Sequence, residues 1–228
     1  ILKNSQEYIS ANIILADVLK EDQPLKAIEV IKGLKSIDQI NKNYLDAIIG
    51  QIYLNNDNFK EAIVYLTKAL ESDKSSKIYF SRAVAYERTG QFDNAISDLN
   101  TALNKNPKNP IILNYLGYLL IDLNKEIDLG LDYIKRSIEL DPINAASLDS
   151  LGWAYIKLKG YDKALSALEK AYSITSDDGV ITGHLGDAYL HNNRKKEAII
   201  YWKKALELEK KDLREIDRIK NQLYKYNN

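Results

Sequence analysis

Hydrophobic and small positions return along this chain with a fixed period. Leu151, Gly152 and Tyr155 are followed by Ala164, Leu168 and Ala171, while Leu185, Gly186 and Tyr189 are followed by Ala198, Trp202 and Ala205, every offset being 34. Towards the N-terminus the first small residue recurs as Gly117, Ala83, Gly50 and Ala16, so the steps from Ala16 onward are 34, 33, 34, 35 and 34. The second small residue keeps step as Ala27, Ala62, Ala95, Gly130, Ala164 and Ala198. A third position follows it at Leu34, Ala69, Ala102, Ser137, Ala171 and Ala205. Two small residues per period, each flanked by bulky apolar ones at helical spacing, predict two helices per period. Six helical hairpins are expected, beginning near Ile9, Asn43, Ser76, Pro110, Ala145 and Gly179.

Gly or Ala in mid-helix lets a paired helix come close, and residues such as Tyr155 and Leu168 fill the space beside the contact. Glycine costs about 1 kcal/mol against alanine in a helix interior, so its return at Gly117, Gly152 and Gly186 implies a packing gain that offsets the cost. Pro107 and the Asp141-Pro142 pair mark the ends of second helices, because proline cannot continue the hydrogen-bond ladder. The fourth hairpin carries one extra residue in its turn, within Asn124 to Asp128, and Gln23-Pro24 shortens the turn of the first. Residues 1–8 read as the tail of an earlier element, with the parent protein expected to continue towards its N-terminus. After the sixth hairpin, Leu213, Ile216, Ile219 and Leu223 recur at helical spacing with charged residues between them, which predicts a helix over 213–228 that caps the last hydrophobic face.

The succession of a bulky residue, Leu-Gly, Tyr, Ala, an aromatic or Leu, and Ala again resembles the tetratricopeptide repeat family over nearly the whole chain. That resemblance implies an all-α fold, a superhelix of about six repeats (residues 9–212) whose first helices line a concave groove. It also implies that the partner is a protein or peptide lying in that groove. Carried over position by position, the groove rows are Asp17, Gln51, Val84, Tyr118, Trp153 and Asp187, beside Ile13, Ala47, Phe80, Asn114, Asp149 and Gly183. The expected partner-binding residues are Phe80, Val84, Asn114, Tyr118, Asp149, Trp153 and Asp187, a set able to bury an apolar side chain while hydrogen-bonding a peptide backbone. Some members of the family clamp a chaperone's terminal carboxylate with Lys, Asn and Arg. Here Ile13, Asp17, Ala47 and Gln51 hold those places, which disfavours that role.

Composition narrows the chemistry. The 228 residues are 45% hydrophobic and 28% charged, as expected of a folded protein, and 32 basic residues balance 32 acidic ones. No net field is left to attract a nucleic-acid backbone or an anionic membrane, and no apolar run approaches a membrane span. With no cysteine there is no disulfide, thiolate metal site or cysteine nucleophile. There is no methionine either, so Ile1 is read as the start of a processed or excised segment. Phosphate-loop, metalloprotease and hydrolase fingerprints are all missing from the sequence, and the chain is expected not to be an enzyme. His184, Asp187 and His191 share one helix at i, i+3 and i+7, but three ligands from one straight helix rarely converge, and neither metal nor cofactor is expected. Asp177 and Asp178 are read as helix-capping residues rather than a catalytic pair.

The last three hairpins, with Asn114-Tyr115-Leu116-Gly117-Tyr118, Leu148-Asp149-Ser150-Leu151-Gly152-Trp153 and His184-Leu185-Gly186-Asp187, look like proteobacterial members of the family that include outer-membrane lipoproteins acting as adaptors for an envelope protease. An adaptor in the bacterial periplasm or at the outer membrane is therefore the leading expectation, with the cytoplasm as the alternative compartment. Two other functions stay open: the substrate-recruiting part of a larger enzyme, and a self-associating scaffold.

Overall fold

The structure, a computed structural model, describes residues 5–37, 40–209 and 212–226. Six helical hairpins follow one another: α1 (Gln6–Leu19) with α2 (Pro24–Leu34), α3 (Lys42–Asn55) with α4 (Phe59–Ala69), α5 (Ser76–Arg88) with α6 (Phe92–Lys105), α7 (Pro110–Asp122) with α8 (Ile127–Leu140), α9 (Ala145–Lys157) with α10 (Tyr161–Ile174), and α11 (Gly179–His191) with α12 (Lys195–Leu208). A last helix, α13 (Leu213–Tyr226), closes the series, and there is no strand among the described residues. None of these helices is long and apolar enough to cross a membrane. The chain divides into two compact units, residues 1–107 with α1–α6 and residues 108–228 with α7–α13. The tail expected over residues 1–8 lies outside the described residues as far as residue 4, and Gln6–Tyr8 belong to α1, whose cap is the Ser5 side chain accepting from the Tyr8 amide.

Local sequence explains where the helices start and stop. All first helices but α5 begin on a side-chain cap: Ser5, Asn41, Asn109, Asn144 and Asp178 each accept an orphan amide of the opening turn, Asp178 taking that of Ile181 at 3.0 Å. Second helices have no such cap. They begin instead from a turn that passes through left-handed backbone, at Asp57, Gly90, Lys159 and Asn193 in the second, third, fifth and sixth hairpins. The fourth hairpin uses two such residues, Asn124 and Glu126, which accommodates its inserted position. Helices α6 and α8 end at Lys105 and Leu140, just before Pro107 and Pro142.

Packing is closest where the sequence places its small residues. A Cβ added to Gly50 would lie 2.7 Å from Leu66 Cγ, one on Gly152 2.3 Å from Leu168 Cγ, and one on Gly186 2.5 Å from the Trp202 ring. In the fourth hairpin two glycines meet, and a Cβ on Gly117 would be 2.6 Å from the Gly130 carbonyl oxygen. Each glycine therefore receives a bulky side chain or bare backbone from the partner helix, which a methyl group would displace. Around these contacts the first unit buries Ala16, Ile31, Leu45 and Ile49 in one cluster and Ala62, Leu66 and Ile78 in the next. The second unit buries Ile121, Ile134 and Ala154, then Leu148, Ala171 and Ile181, and finally Leu168, Leu185 and Trp202. Helix α13 completes the last cluster with Ile219, fully buried, and approaches α11 so closely at Gly183 that a Cβ there would stand 2.9 Å from Ile219 Cδ1.

Gly33 supplies the contrast, since nothing lies within 4 Å of where its Cβ would be. Gly152→Leu should lower the unfolding free energy by about 1–3 kcal/mol through overpacking. Gly33→Ala should raise it by about 0.5–1 kcal/mol through helix propensity. Urea denaturation followed by circular dichroism reads both, and equal midpoints for wild type and Gly152→Leu would contradict the close helix contact.

Candidate partner-binding surface

The expected binding residues fall in both units. Phe80 and Val84 lie one turn apart on α5 in the first unit, both half-buried. Beside them Ser81 donates to the Gln51 side chain of α3 at 2.9 Å, tying two first helices together. Arg82 grips Asp98 of α6 through two hydrogen bonds of 2.7 and 2.9 Å.

In the second unit α7, α9 and α11 pack side by side. Asn114 and Tyr118 stand one turn apart on α7, and both are half-buried. The Asn114 Oδ1 atom is buried without a hydrogen-bond partner. A buried, unpaired amide oxygen costs about 1–3 kcal/mol. On α9, Trp153 is half-buried and held on several sides. Its indole N–H donates to Asp122 at 3.2 Å, and its ring stacks on His184 with centroids 4.7 Å apart. The Lys157 ammonium lies 5.1 Å from the same ring, and the Arg218 guanidinium 5.9 Å.

Asp149 and Asp187 do not reach the surface as the groove rows suggest. Asp149 is 7% exposed and holds the His184 Nδ1 atom at 2.9 Å, while Asp187 is 4% exposed and accepts from Trp202 Nε1 at 2.9 Å. Asp187 also pairs with Arg218, which reaches in from α13 and donates through Nε to Glu215 at 2.7 Å. The reason lies one repeat further on: the next first helix, or α13 acting as one, supplies a cationic group that draws each carboxylate inward. Sequence reasoning passed over Asp122, Lys157, His184 and Arg218 as site residues. The available signal was register, since His184 follows Asp149 by 35 residues and Arg218 follows Asp187 by 31, close to one repeat in each case.

The His184, Asp187 and His191 side chains have separate destinations. The first bonds Asp149, the second bonds Trp202 and Arg218, and the third stacks on Tyr161 with centroids 4.5 Å apart. Among the described residues no three His, Cys, Asp or Glu side chains gather as a metal site would require.

Electrostatics follow from this burial. Desolvation alone would push the His184 imidazole down, but the Asp149 carboxylate, by charge and by hydrogen bond, outweighs it and holds the group above its ordinary value of 6.5. Arg218 opposes and Glu215 assists. For Asp187, burial outweighs the opposing pull of Arg218 and His184 and holds the carboxyl above its ordinary value. Burial likewise works against the Arg218 cation, but Glu215 and Asp187 outweigh it and hold the guanidinium charged. A raised imidazole pKa contributes stability that is fully present below the ordinary value and is lost as pH rises through the folded-state value. Wild type should therefore lose stability on going from about pH 6 to pH 8.5, a loss that His184→Gln removes. Urea midpoints at the two pH values check this, and an identical pH slope in both proteins would contradict the His184–Asp149 pair.

Paired helices in tandem, with small residues at every crossing and a mixed aromatic and amide surface on the first helices, define a helical-hairpin repeat protein. The sequence profile of the tetratricopeptide repeat family matches residues 26–211, and the chain belongs to that family. It is 26% identical over 189 residues to a TPR repeat-containing protein of Pseudomonas aeruginosa, an alignment covering 79% of this chain and 31% of that protein. It is also 26% identical over 200 residues to the peroxisomal targeting signal receptor of Candida albicans, covering 80% of this chain and 33% of the receptor. The chain thus spans about a third of the length of these relatives. Among solved structures it resembles a thermophilic TPR protein of Thermus thermophilus, with a TM-score of 0.68 and 22% identity over 80% of this chain and 99% of that one. MamA of Desulfovibrio magneticus has a TM-score of 0.61 at 21% identity, over 74% of this chain and 96% of its own. At these identities the two structures speak for the fold alone.

Proposed function

We propose that this protein is an interaction scaffold and that the surface of α7 and α9 in its second unit holds a segment of a partner polypeptide. The observation that carries this reading is the row of half-buried side chains that Asn114 and Tyr118, one turn apart on α7, form with Trp153 on the adjacent α9. Tyr118 and Trp153 offer apolar surface for a guest side chain, and the amide group of the half-buried Asn114 is of the kind that bonds a peptide backbone. Trp153 is already immobilised by Asp122 and His184, so little conformational entropy is lost when a guest packs on its remaining surface. Family membership supports the scaffold reading, and the relative from Candida albicans bears the name of a receptor for a targeting signal.

The finer form of the proposal is an adaptor at the bacterial envelope that brings substrates to a protease. Its support is the resemblance of the C-terminal half to proteobacterial repeat proteins, and fractionation of the native cell with identification of co-purifying proteins tests it. Recovery in the cytosol without protease or substrate would contradict that form while leaving the scaffold reading in place.

A photo-crosslinking phenylalanine derivative at position 118 should trap the partner, whereas the same group at the exposed Ile200 on α12 should not. For the trapped segment, Asn114→Ala and Tyr118→Ala should each cost more than about 1 kcal/mol of affinity by calorimetry, with helicity retained. Unchanged affinity in both variants would remove this surface from the function.

A further inference from the structure

A cluster of side chains around a tyrosine pair, contributed by first and second helices, occurs twice in the chain, once in each unit, balanced in charge in the second unit and rich in lysine in the first. In the second unit Tyr189 and Tyr201 pack together with centroids 5.0 Å apart, and Tyr172 meets Tyr201 edge-on at 5.4 Å. Glu169 accepts the Tyr189 hydroxyl at 3.0 Å, and Lys204 donates to the Tyr172 hydroxyl. Charges and hydroxyls there satisfy one another within the cluster. The first unit has the same tyrosine pair as Tyr53 and Tyr65, with centroids 5.5 Å apart, and Lys68 where Lys204 stands. In the register that aligns Ala27 with Ala164, however, Lys32 replaces Glu169 and Lys35 replaces Tyr172.

Three ammonium groups consequently converge on one ring. Lys32 Nζ and Lys35 Nζ each lie 5.6 Å from the Tyr65 centroid, and Lys68 Nζ lies 5.1 Å from it. The Asp46 carboxylate, 4% exposed, binds Lys35 and so compensates one of the three. Glu29, exposed a turn earlier on α2, acts on Lys32 as well, although the Tyr65 side chain has the larger effect in holding that ammonium above its ordinary value. Lys32 and Lys68 are exposed, are contributed by different helices, and meet at the same Tyr65 ring.

We propose that Lys32, Lys35 and Lys68, gathered around Tyr65 on the faces of α2 and α4, form a site for a phosphoryl group. A phosphoryl dianion accepts from several ammoniums at once and balances the charge that Asp46 leaves over, while the phenol rim offers a further donor. A phosphorylated peptide side chain is favoured over an anionic membrane, because the whole chain has equal numbers of acidic and basic residues and lacks the broad positive field that a membrane surface selects.

The test is an amide-shift titration of the isotopically labelled chain by nuclear magnetic resonance. The probes are sodium phosphate, an acetylated tripeptide with a central phosphoserine, and its unphosphorylated form. Shifts should be confined to α2 and α4 near the three lysines. Lys32→Gln combined with Lys68→Gln should weaken the phosphopeptide by about tenfold or more, and Lys204→Gln in the second unit should leave it unchanged. Tighter binding of the phosphopeptide than of sodium phosphate identifies a modified side chain as the source, and equal binding identifies free phosphate. Shifts scattered over the lysine-bearing surface, or equal affinity in wild type and the double variant, would overturn the site. Binding to phosphatidylglycerol vesicles without binding to the phosphopeptide would overturn it in favour of a membrane.

Discussion

The fold rests on one recurring contact, in which a residue with little or no side chain on a first helix receives a bulky residue or bare backbone from the second. At Gly152 the incoming group is Leu168, at Gly186 it is Trp202, and at Gly117 it is the backbone of Gly130. The glycine penalty in a helix is about 1 kcal/mol, and close approach recovers it through the dispersion contacts that neighbouring side chains then make. Because the contact recurs at nearly constant spacing, each hairpin presents the same kind of face to the next one within its unit, and core clusters form one after another along each unit.

The polar interior of the second unit depends on that approach. Once α9, α11 and α13 lie close together, Asp149 meets His184 and Asp187 meets Arg218 away from solvent. Buried charges of this kind are costly unless paired, so their contribution is better described as fixing how the helices align than as adding stability. Gly183 permits the arrangement by leaving room for Glu215, Arg218 and Ile219 of the capping helix. The same pairing immobilises Trp153, and in this way an element of the core becomes a rigid part of the proposed binding surface.

Much of this was legible in the sequence. The period predicted the hairpins because a small residue is required wherever two helix axes approach, and a strict steric requirement leaves a strict trace. Asp178 was readable as a cap and Pro107 and Pro142 as stops for equally local reasons. The burial of Asp149 and Asp187 was not legible, because their positions on the helix indicate a direction but not whether a cation waits there. That depends on His184 and Arg218, roughly a repeat away. The lysines around Tyr65 were invisible for a similar reason: each looks like an ordinary exposed residue until the register of α2 against α4 brings the three together. Division into two units between the third and fourth hairpins left no mark in the repeat spacing, which passes through that point at an ordinary step of 34 from Ala83 to Gly117.

The central claim, that the two helices of a hairpin nest where a small residue on the first meets the second, is open to direct measurement by nuclear Overhauser spectroscopy of the intact chain. Strong cross-peaks are predicted between the Gly152 α-protons and the Leu168 methyls, and between the Gly186 α-protons and the Trp202 indole ring, whose atoms would come within 2.5 Å of an added Cβ. Well-resolved spectra of the folded protein that lack both cross-peaks would contradict the account.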